Sequence, residues 1–150
     1  MPRYAQRGFE LVQQPGYVVM MLNWGHYYRS IPTDGRDRAA SAAKFWMGSP
    51  RARWDDDTLV VETTNLSGKM WLDSVGNFYS ENAVVTERLR LVDPNTLDYE
   101  VTIEDPAVFT RPLRLNYPLR RVGVRGGCPE CGGPGGGAAT ARDPYAVESW

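Results

Sequence analysis

A carboxylate in the middle of a strand-like segment is the first candidate for chemistry. Glu87 lies in "AVVTERLRLVD" (83–93), where the residues two positions away, Val85 and Leu89, are apolar. Alternate residues of a strand share one face, so Glu87 is expected to point into the apolar interior, where desolvation raises the pKa of an unpartnered carboxyl. Two interpretations stay open: a structural ion pair with an arginine of a neighbouring strand, or a general acid or base that lines a pocket. A bulge beside Glu87 would instead turn its side chain outward.

A second carboxylate lies in a segment whose two faces are both partly apolar. Glu62 in "TLVVETT" (58–64) shares one face with Val60 and Thr64, and alternation leaves its direction ambiguous. If Glu62 and Glu87 converge, they form a carboxylate pair of the kind that glycoside hydrolysis uses. Glu62 is therefore a catalytic candidate alongside Glu87.

The chain contains a single histidine, His26, within "NWGHYYRSIPTDGR" (23–36). Imidazole titrates near neutral pH, so His26 is expected to be the proton partner of Glu87 in a shared pocket. The alternative is a histidine at a strand end that donates to a backbone carbonyl. Tyr28 and Ser30 lie on the same strand face as His26, and this more polar face is expected to point inward. Inward polar groups need water, one another or a ligand as partners.

Aromatic side chains are numerous, with 5 tryptophans and 8 tyrosines. Trp and Tyr combine a large apolar area with a polar tip, which suits sugar rings and planar ligands. We expect Tyr28 and Tyr99 to donate hydrogen bonds to a substrate. Trp54 and Trp71 are expected to form stacking walls around it. In the alternative interpretation these rings fill the interior of the fold.

The acidic and cysteine clusters do not indicate a metal or a cofactor. "DDD" (55–57) lacks the D-x-D-x-D-G spacing of a calcium loop and is expected to be a solvated hairpin turn. Cys128 and Cys131 in "CPEC" stand at zinc-ligand spacing, but a structural zinc site needs four ligands. No metal and no cofactor are therefore predicted, and a zinc ion or a disulfide shared between two chains is the alternative.

Length and charge limit the possible partners. The chain has 150 residues and a net charge of −1, which allows one domain with a core but does not fit phosphate-neutralising nucleic-acid binding. The longest apolar run, "YVVMML" (17–22), is far shorter than a bilayer-spanning helix, so no membrane partner is expected. "MPRYAQRGFE" at the N-terminus lacks the apolar core of a signal peptide, which predicts a soluble chain of unknown compartment.

Period-two alternation places most of these candidates on strands. Residues 83–93 and 97–104 alternate between an apolar and a polar face, and "DPNT" (93–96) forms the turn between them. One apolar and one wet face are typical of an antiparallel sheet. Pro112 and Pro118 cannot donate to a strand ladder, which predicts an edge strand or a bulge there.

The remaining segments complete the predicted architecture. "DRAASAAKFWMGS" (37–49) predicts the single helix, because alanine favours helix and Ser49-Pro50 would stop it. Seven or eight strands joined by short turns predict an all-β fold, an antiparallel meander closed into a small lipocalin-like barrel or half-barrel. A β-sandwich is the main alternative. Residues 1–122 are predicted to form this single domain, and the glycine-rich residues 123–150 are predicted to be a flexible tail.

Five segments follow one another in a specific spacing over about residues 8–120. They are "HYYRSIPTDGR" (26–36), "WDDDTLVVETTN" (54–65), "WLDSVG" (71–76), "TERLR" (86–90) and "LDYEVTIEDP" (97–106). In this pattern the chain resembles a family of small bacterial proteins of unknown function. Members of that family are longer at the N-terminus, often with an export signal, and carry a histidine in H-S-E where this chain has Tyr79-Ser80-Glu81. The resemblance implies no mechanism.

Together these features predict a protein that handles a small molecule, because a barrel of about eight strands can hold one small ligand. An acid–base enzyme, such as a hydrolase, isomerase or lyase acting on a small organic or sugar-like substrate, is the first hypothesis. A non-catalytic carrier of lipocalin type needs the same pocket but no titrating groups. A self-assembling structural protein, a homo-oligomer joined through exposed sheet edges, needs neither.

Overall fold

A computed structural model of the protein describes residues 8–22, 27–35, 43–72 and 76–121. This part of the chain is all-β and contains eight strands in two antiparallel sheets. The strands are β1 (Phe9–Gln14), β2 (Tyr17–Leu22), β3 (Tyr28–Pro32), β4 (Ser49–Asp55), β5 (Thr58–Thr64), β6 (Val84–Asp93), β7 (Thr96–Glu104) and β8 (Leu113–Arg120). The predicted tail of residues 123–150, with Cys128 and Cys131, lies outside the described residues.

The first sheet has the order β1-β2-β3. Pro15 and Gly16 make the turn between β1 and β2, and Gly16 adopts a φ of 83°, a backbone conformation that favours glycine. Across the β2–β3 ladder, Met20 pairs with Arg29. Paired residues of an antiparallel ladder share a face, so Arg29 lies on the same inner face as the fully buried Met20.

The second sheet has the order β4-β5-β6-β7-β8, so every strand pairs with its neighbour in sequence. The predicted alternation is confirmed as far as Leu89: Val85, Glu87 and Leu89 are buried on β6, opposite Ile103, Val101 and Tyr99 on β7. Leu91, expected on the same face, is exposed next to a shift in the register of the ladder. β8 is an edge strand, as Pro118 within it and Pro112 just before it predict.

The inner faces of the two sheets share one apolar core. Phe9 of β1 packs edge-on against Tyr99 of β7, with ring centroids 6.0 Å apart and an angle of 66° between the ring planes. Such edge-to-face packing is a preferred aromatic geometry. The inward side chains of the two sheets therefore meet between the sheets.

The predicted closure into a barrel is not found in the described residues. β3 and β4 lie near each other, but they belong to different sheets and form no ladder. A barrel needs an unbroken ring of hydrogen-bonded strands. Pro32 at the end of β3 and Pro50 in β4 have no N–H to donate, which disfavours a ladder between these two segments.

The predicted helix over residues 37–49 is wrong where the structure can test it, at residues 43–49. Phe45 instead forms an isolated parallel bridge with Leu66, and Ser49 begins β4. The backbone N–H of Phe45 donates to the Asn65 carbonyl at 2.9 Å, so tertiary hydrogen bonds override the helix propensity of this segment. The described part of the chain holds no helix of the length and apolarity that crossing a membrane requires.

Candidate functional site

A buried charged network connects the two sheets. Glu87 on β6 is completely buried, and the exposed fraction of Arg29 on β3 is only 4%. The Arg29 guanidinium binds the carboxylate through both terminal nitrogens, with Nη1 to Oε1 at 3.0 Å and Nη2 to Oε2 at 2.6 Å. The Tyr99 hydroxyl donates to the same Oε1 at 2.5 Å. A two-point contact of this kind fixes both charged groups in position.

Of the two interpretations of Glu87, the structure contains the ion pair. The arginine that forms it, however, does not lie in the same sheet as Glu87. An arginine of a neighbouring strand was the example considered from the sequence, whereas Arg29 belongs to the opposite sheet. Within its own sheet, Glu87 lies between Val61 and Val101, which offer no polar group from their side chains. The charge of the carboxylate is thus balanced from across the core, while Tyr99 of its own sheet supplies a neutral hydrogen bond.

The guanidinium of Arg29 has two further contacts. Its Nη2 donates to Thr63 Oγ1 at 3.0 Å, and its Nη1 lies 3.7 Å from Met20 Sδ, a weak acceptor. Each terminal nitrogen carries two hydrogens, one directed to Glu87 and one to Thr63 or Met20. All four terminal N–H groups are therefore engaged within the protein.

Arg29 and Thr63 also form the floor of a cleft at one end of the core. Its enclosed space is about 30 Å³, which is room for one or two water molecules. The walls are mostly apolar or aromatic, and include Trp46, Met47, Met70, Trp71, Leu72 and Tyr79. Arg29 is the only charged residue among the described residues that line it.

Two loop segments carry the tryptophans of the cleft. Trp46 follows Phe45, whose carbonyl accepts from the backbone N–H of Ser67 at 2.9 Å. Trp71 forms an isolated antiparallel bridge with Phe78, next to a hydrogen bond from Leu72 N–H to the Asn77 carbonyl at 2.6 Å. Backbone contacts therefore hold both segments in place, while the indole side chains stay largely in solvent.

Tyr79 also lines the cleft, and hydrogen bonds hold the residue that follows it in the chain. The side chain of Asp105, which is buried, accepts hydrogen bonds from the backbone N–H of Ser80 at 2.5 Å and from its hydroxyl at 2.9 Å. Burial raises the pKa of Tyr79 above its ordinary value of 10.0. At neutral pH the Tyr79 phenol is therefore uncharged.

The predicted tyrosine donors have different surroundings. Tyr99 is fully buried and does donate a hydrogen bond, but the acceptor is Glu87. Tyr28 is 70% exposed and Ser30 is also exposed, so the expectation that this face of β3 points inward is wrong. The intervening residues Arg29 and Ile31 are the buried ones, because they share the face of the apolar residues of β2.

The predicted carboxylate pair does not form. Val61 is the ladder partner of Glu87, whereas Glu62 is the partner of Thr86. Adjacent residues of a strand point to opposite faces, so Glu62 and Glu87 lie on opposite sides of the sheet. The pairing of His26 with Glu87 stays a prediction, because His26 lies outside the described residues.

Of the two predicted stacking tryptophans, Trp71 lines the cleft and Trp54 does not. Trp54 is 48% exposed near the end of β4, next to the acidic hairpin turn. Asp55 in that turn accepts from Arg88 Nη2 at 3.1 Å, an exposed ion pair consistent with a solvated turn. No three His, Cys, Asp or Glu residues in the described ranges are grouped as metal ligands would be.

The sequence interpretation missed three residues of the site: Arg29, Thr63 and Trp46. Arg29 alternates with Ile31, and this pairing of a cation with an apolar residue on one face was the available signal for an inward arginine. Trp46 lies in the segment predicted to be helical, and only Trp54 and Trp71 were predicted to stack on a ligand. Nothing in the local sequence marks Thr63, because its role comes from a contact with the other sheet.

Comparisons with known proteins add no further indication of function: no family model matches the chain, and no curated protein or solved structure is significantly similar to it.

Proposed function

We propose that the protein is a non-catalytic binding module that holds a small, flat-ringed molecule in the cleft between Trp46 and Trp71. The observation that carries this proposal is the exposure of the two indoles, 60% for Trp46 and 63% for Trp71, at the mouth of a preformed cleft. Exposed aromatic groups that border one cleft are typical of binding surfaces. A ring inserted between them gains apolar burial and aromatic stacking at once.

The shape of the cleft supports a ligand that is only partly enclosed. The space at the floor, about 30 Å³, accommodates a small substituent but not a ring. The ring of the ligand therefore lies at the mouth beside Trp46 and Trp71, and its substituent points toward Arg29 and Thr63. This arrangement matches the usual composition of ligand sites, apolar walls with a few polar groups.

The surroundings of Glu87 favour binding over acid–base catalysis. Both carboxylate oxygens accept hydrogen bonds from Arg29, and Oε1 also accepts from Tyr99. A general acid or base must come within hydrogen-bond reach of the substrate proton that it transfers. Glu87 has no exposed surface, so a substrate in the cleft would meet Arg29 and Thr63 rather than the carboxylate.

The proposal is tested by titrating the isotope-labelled protein with indole and following the tryptophan indole N–H resonances by NMR. We expect the signals of Trp46 and Trp71 to shift in a saturable way. Trp46→Ala and Trp71→Ala should each weaken indole binding by about tenfold, which corresponds to about 1.4 kcal/mol. Both side chains are largely exposed, so neither change should unfold the protein.

Trp54→Ala is the matched control, since Trp54 is also a half-exposed tryptophan but does not line the cleft. It should leave the affinity for indole unchanged. Unmoved signals of Trp46 and Trp71 at saturating indole, or an equal loss of affinity in the Trp54 variant, would contradict the proposal.

A further inference from the structure

We infer that the cleft selects uncharged ligands and rejects anionic ones, although an arginine lies at its floor. This inference rests on the proposed function and specifies the chemical class of its ligand. An arginine in a ligand site ordinarily indicates a carboxylate or a phosphate, because the guanidinium donates in a planar fork that fits these groups. In this protein the terminal N–H groups of Arg29 already contact acceptors within the protein.

The hydrogen-bond inventory of Arg29 is the first argument. Nη1 and Nη2 direct one N–H each to the carboxylate of Glu87. The second N–H of Nη2 goes to Thr63 Oγ1, and Nη1 also contacts Met20 Sδ. An incoming anion would have to displace one of these partners to obtain the two-point contact that makes arginine a strong anion receptor.

The charge of the floor is the second argument. The positive charge of Arg29 is balanced by Glu87, whose nearer oxygen lies 2.6 Å from Nη2. The cleft has no second charged residue among its described lining residues. The Tyr79 phenol on the wall keeps its proton at neutral pH, since burial raises its pKa. A ligand therefore meets a neutral surface with apolar walls.

The energetic consequence follows from desolvation. An anion that enters a partly apolar cleft loses hydration, and without a free cationic partner it recovers little of that free energy. A neutral amide or hydroxyl group of the same size loses much less. Two ligands that share a ring and differ only in this group should therefore differ in affinity, with the neutral one preferred.

Indole-3-acetamide and indole-3-acetate provide this comparison, because they share the indole ring and differ mainly in charge at neutral pH. Dissociation constants for both are measured on the wild-type protein from the Trp46 and Trp71 resonances. We expect the amide to bind at least about tenfold more tightly, a difference of about 1.4 kcal/mol. Equal or tighter binding of the acetate would overturn the inference while the proposed function stands. If neither compound shifts these resonances at saturating concentrations, both fail.

A variant that frees one donor of the fork adds an independent readout. Thr63→Val keeps the shape of the side chain but removes the hydroxyl that accepts from Arg29 Nη2, and one N–H becomes available to a ligand. The preference for the amide over the acetate should shrink by several-fold in this variant. Thr64→Val is the control, because Thr64 is the next residue of β5, points to the other face and does not line the cleft. An unchanged preference in folded Thr63→Val would contradict the inference.

Discussion

At the scale of single residues, the Arg29–Glu87 pair is the most consequential contact of the core. Burial of two charges is expensive, and their attraction offsets that cost only when geometry and additional hydrogen bonds are favourable. Here the contact is two-pronged, and Tyr99 and Thr63 supply the additional bonds. Removal of one partner leaves the other charge buried and uncompensated.

Glu87→Gln should therefore destabilise the protein by about 3–5 kcal/mol, the range for breaking a buried ion pair. Arg29→Met should cost a similar amount. In the double variant the loss should be smaller than the sum of the two single losses by about 3 kcal/mol, because no uncompensated charge remains. Urea unfolding of the four proteins measures this coupling. Arg88→Met, at the exposed Arg88–Asp55 pair, is the control and should cost less than about 1 kcal/mol.

Tyr79 should make stability depend on alkaline pH. Its pKa in the folded protein is raised by burial above the value of 10.0 that applies when it is exposed. The stabilising contribution of the neutral phenol is therefore complete below about pH 10 and is lost as the pH rises through the folded pKa. Tyr79→Phe should reduce the loss of stability above that pH, as measured by urea unfolding across the alkaline range. Tyr28→Phe, at an exposed tyrosine, is the control, and an equal effect of both substitutions would contradict the assignment to Tyr79.

At the scale of secondary-structure elements, the junction that leads into β4 decides the position of Trp46. Gly48 has a φ of 67°, and a Cβ at this position would lie 2.5 Å from Thr63 Cγ2 and 2.7 Å from the Thr64 carbonyl oxygen. The backbone at Gly48 therefore lies too close to β5 to accommodate a side chain at this position. This approach seats the segment of Phe45 and Trp46 against the chain that follows β5.

Gly48→Ala tests this close approach, with Gly35→Ala as its matched control. Gly35 has a similar φ of 70°, but no described atom lies within 4 Å of its would-be Cβ. Gly35→Ala should lower the free energy of unfolding only by the cost of placing alanine at a left-handed φ, about 1–2 kcal/mol. Gly48→Ala should add an overpacking cost of about 1–3 kcal/mol and should also weaken indole binding, since Trp46 is displaced. Equal losses of stability in the two variants would show that contact with β5 does not matter.

The same elements show where the sequence was informative. Alternation in β6 and β7 predicted both strands, their turn and the inward direction of Glu87, because one face of an antiparallel sheet is buried and the pattern is local. The helix prediction failed because alanine content reports only local propensity, whereas Phe45 is held by hydrogen bonds to residues 65–67. The partner of Glu87 was not predictable, since Arg29 lies 58 positions away and meets it only after the sheets pack.

At the scale of the whole molecule, two sheets built from consecutive strands share one core. Each sheet is a meander with mostly local pairing, and the contacts between sheets are the long-range part of the fold. The sequence predicted the meander but not its division into three and five strands, because nothing local distinguishes a ladder between β3 and β4 from its absence. The cleft lies at one end of the core between the two sheets, where loop residues rather than strand residues form most of the walls.

The charged link between the sheets has a consequence for how the protein folds. If the five-stranded sheet collapsed by itself, Glu87 would sit in a forming interior with no cation to balance it. If the three-stranded sheet docked with β3 shifted by one residue, Ser30 or Tyr28 would replace Arg29 opposite the carboxylate. We therefore expect the pair to disfavour both collapse of the five-stranded sheet alone and docking of β3 in a shifted register. Tryptophan fluorescence and far-ultraviolet circular dichroism of the wild-type protein should then report one coincident unfolding transition, and separate transitions would contradict a coupling of the two sheets through this pair.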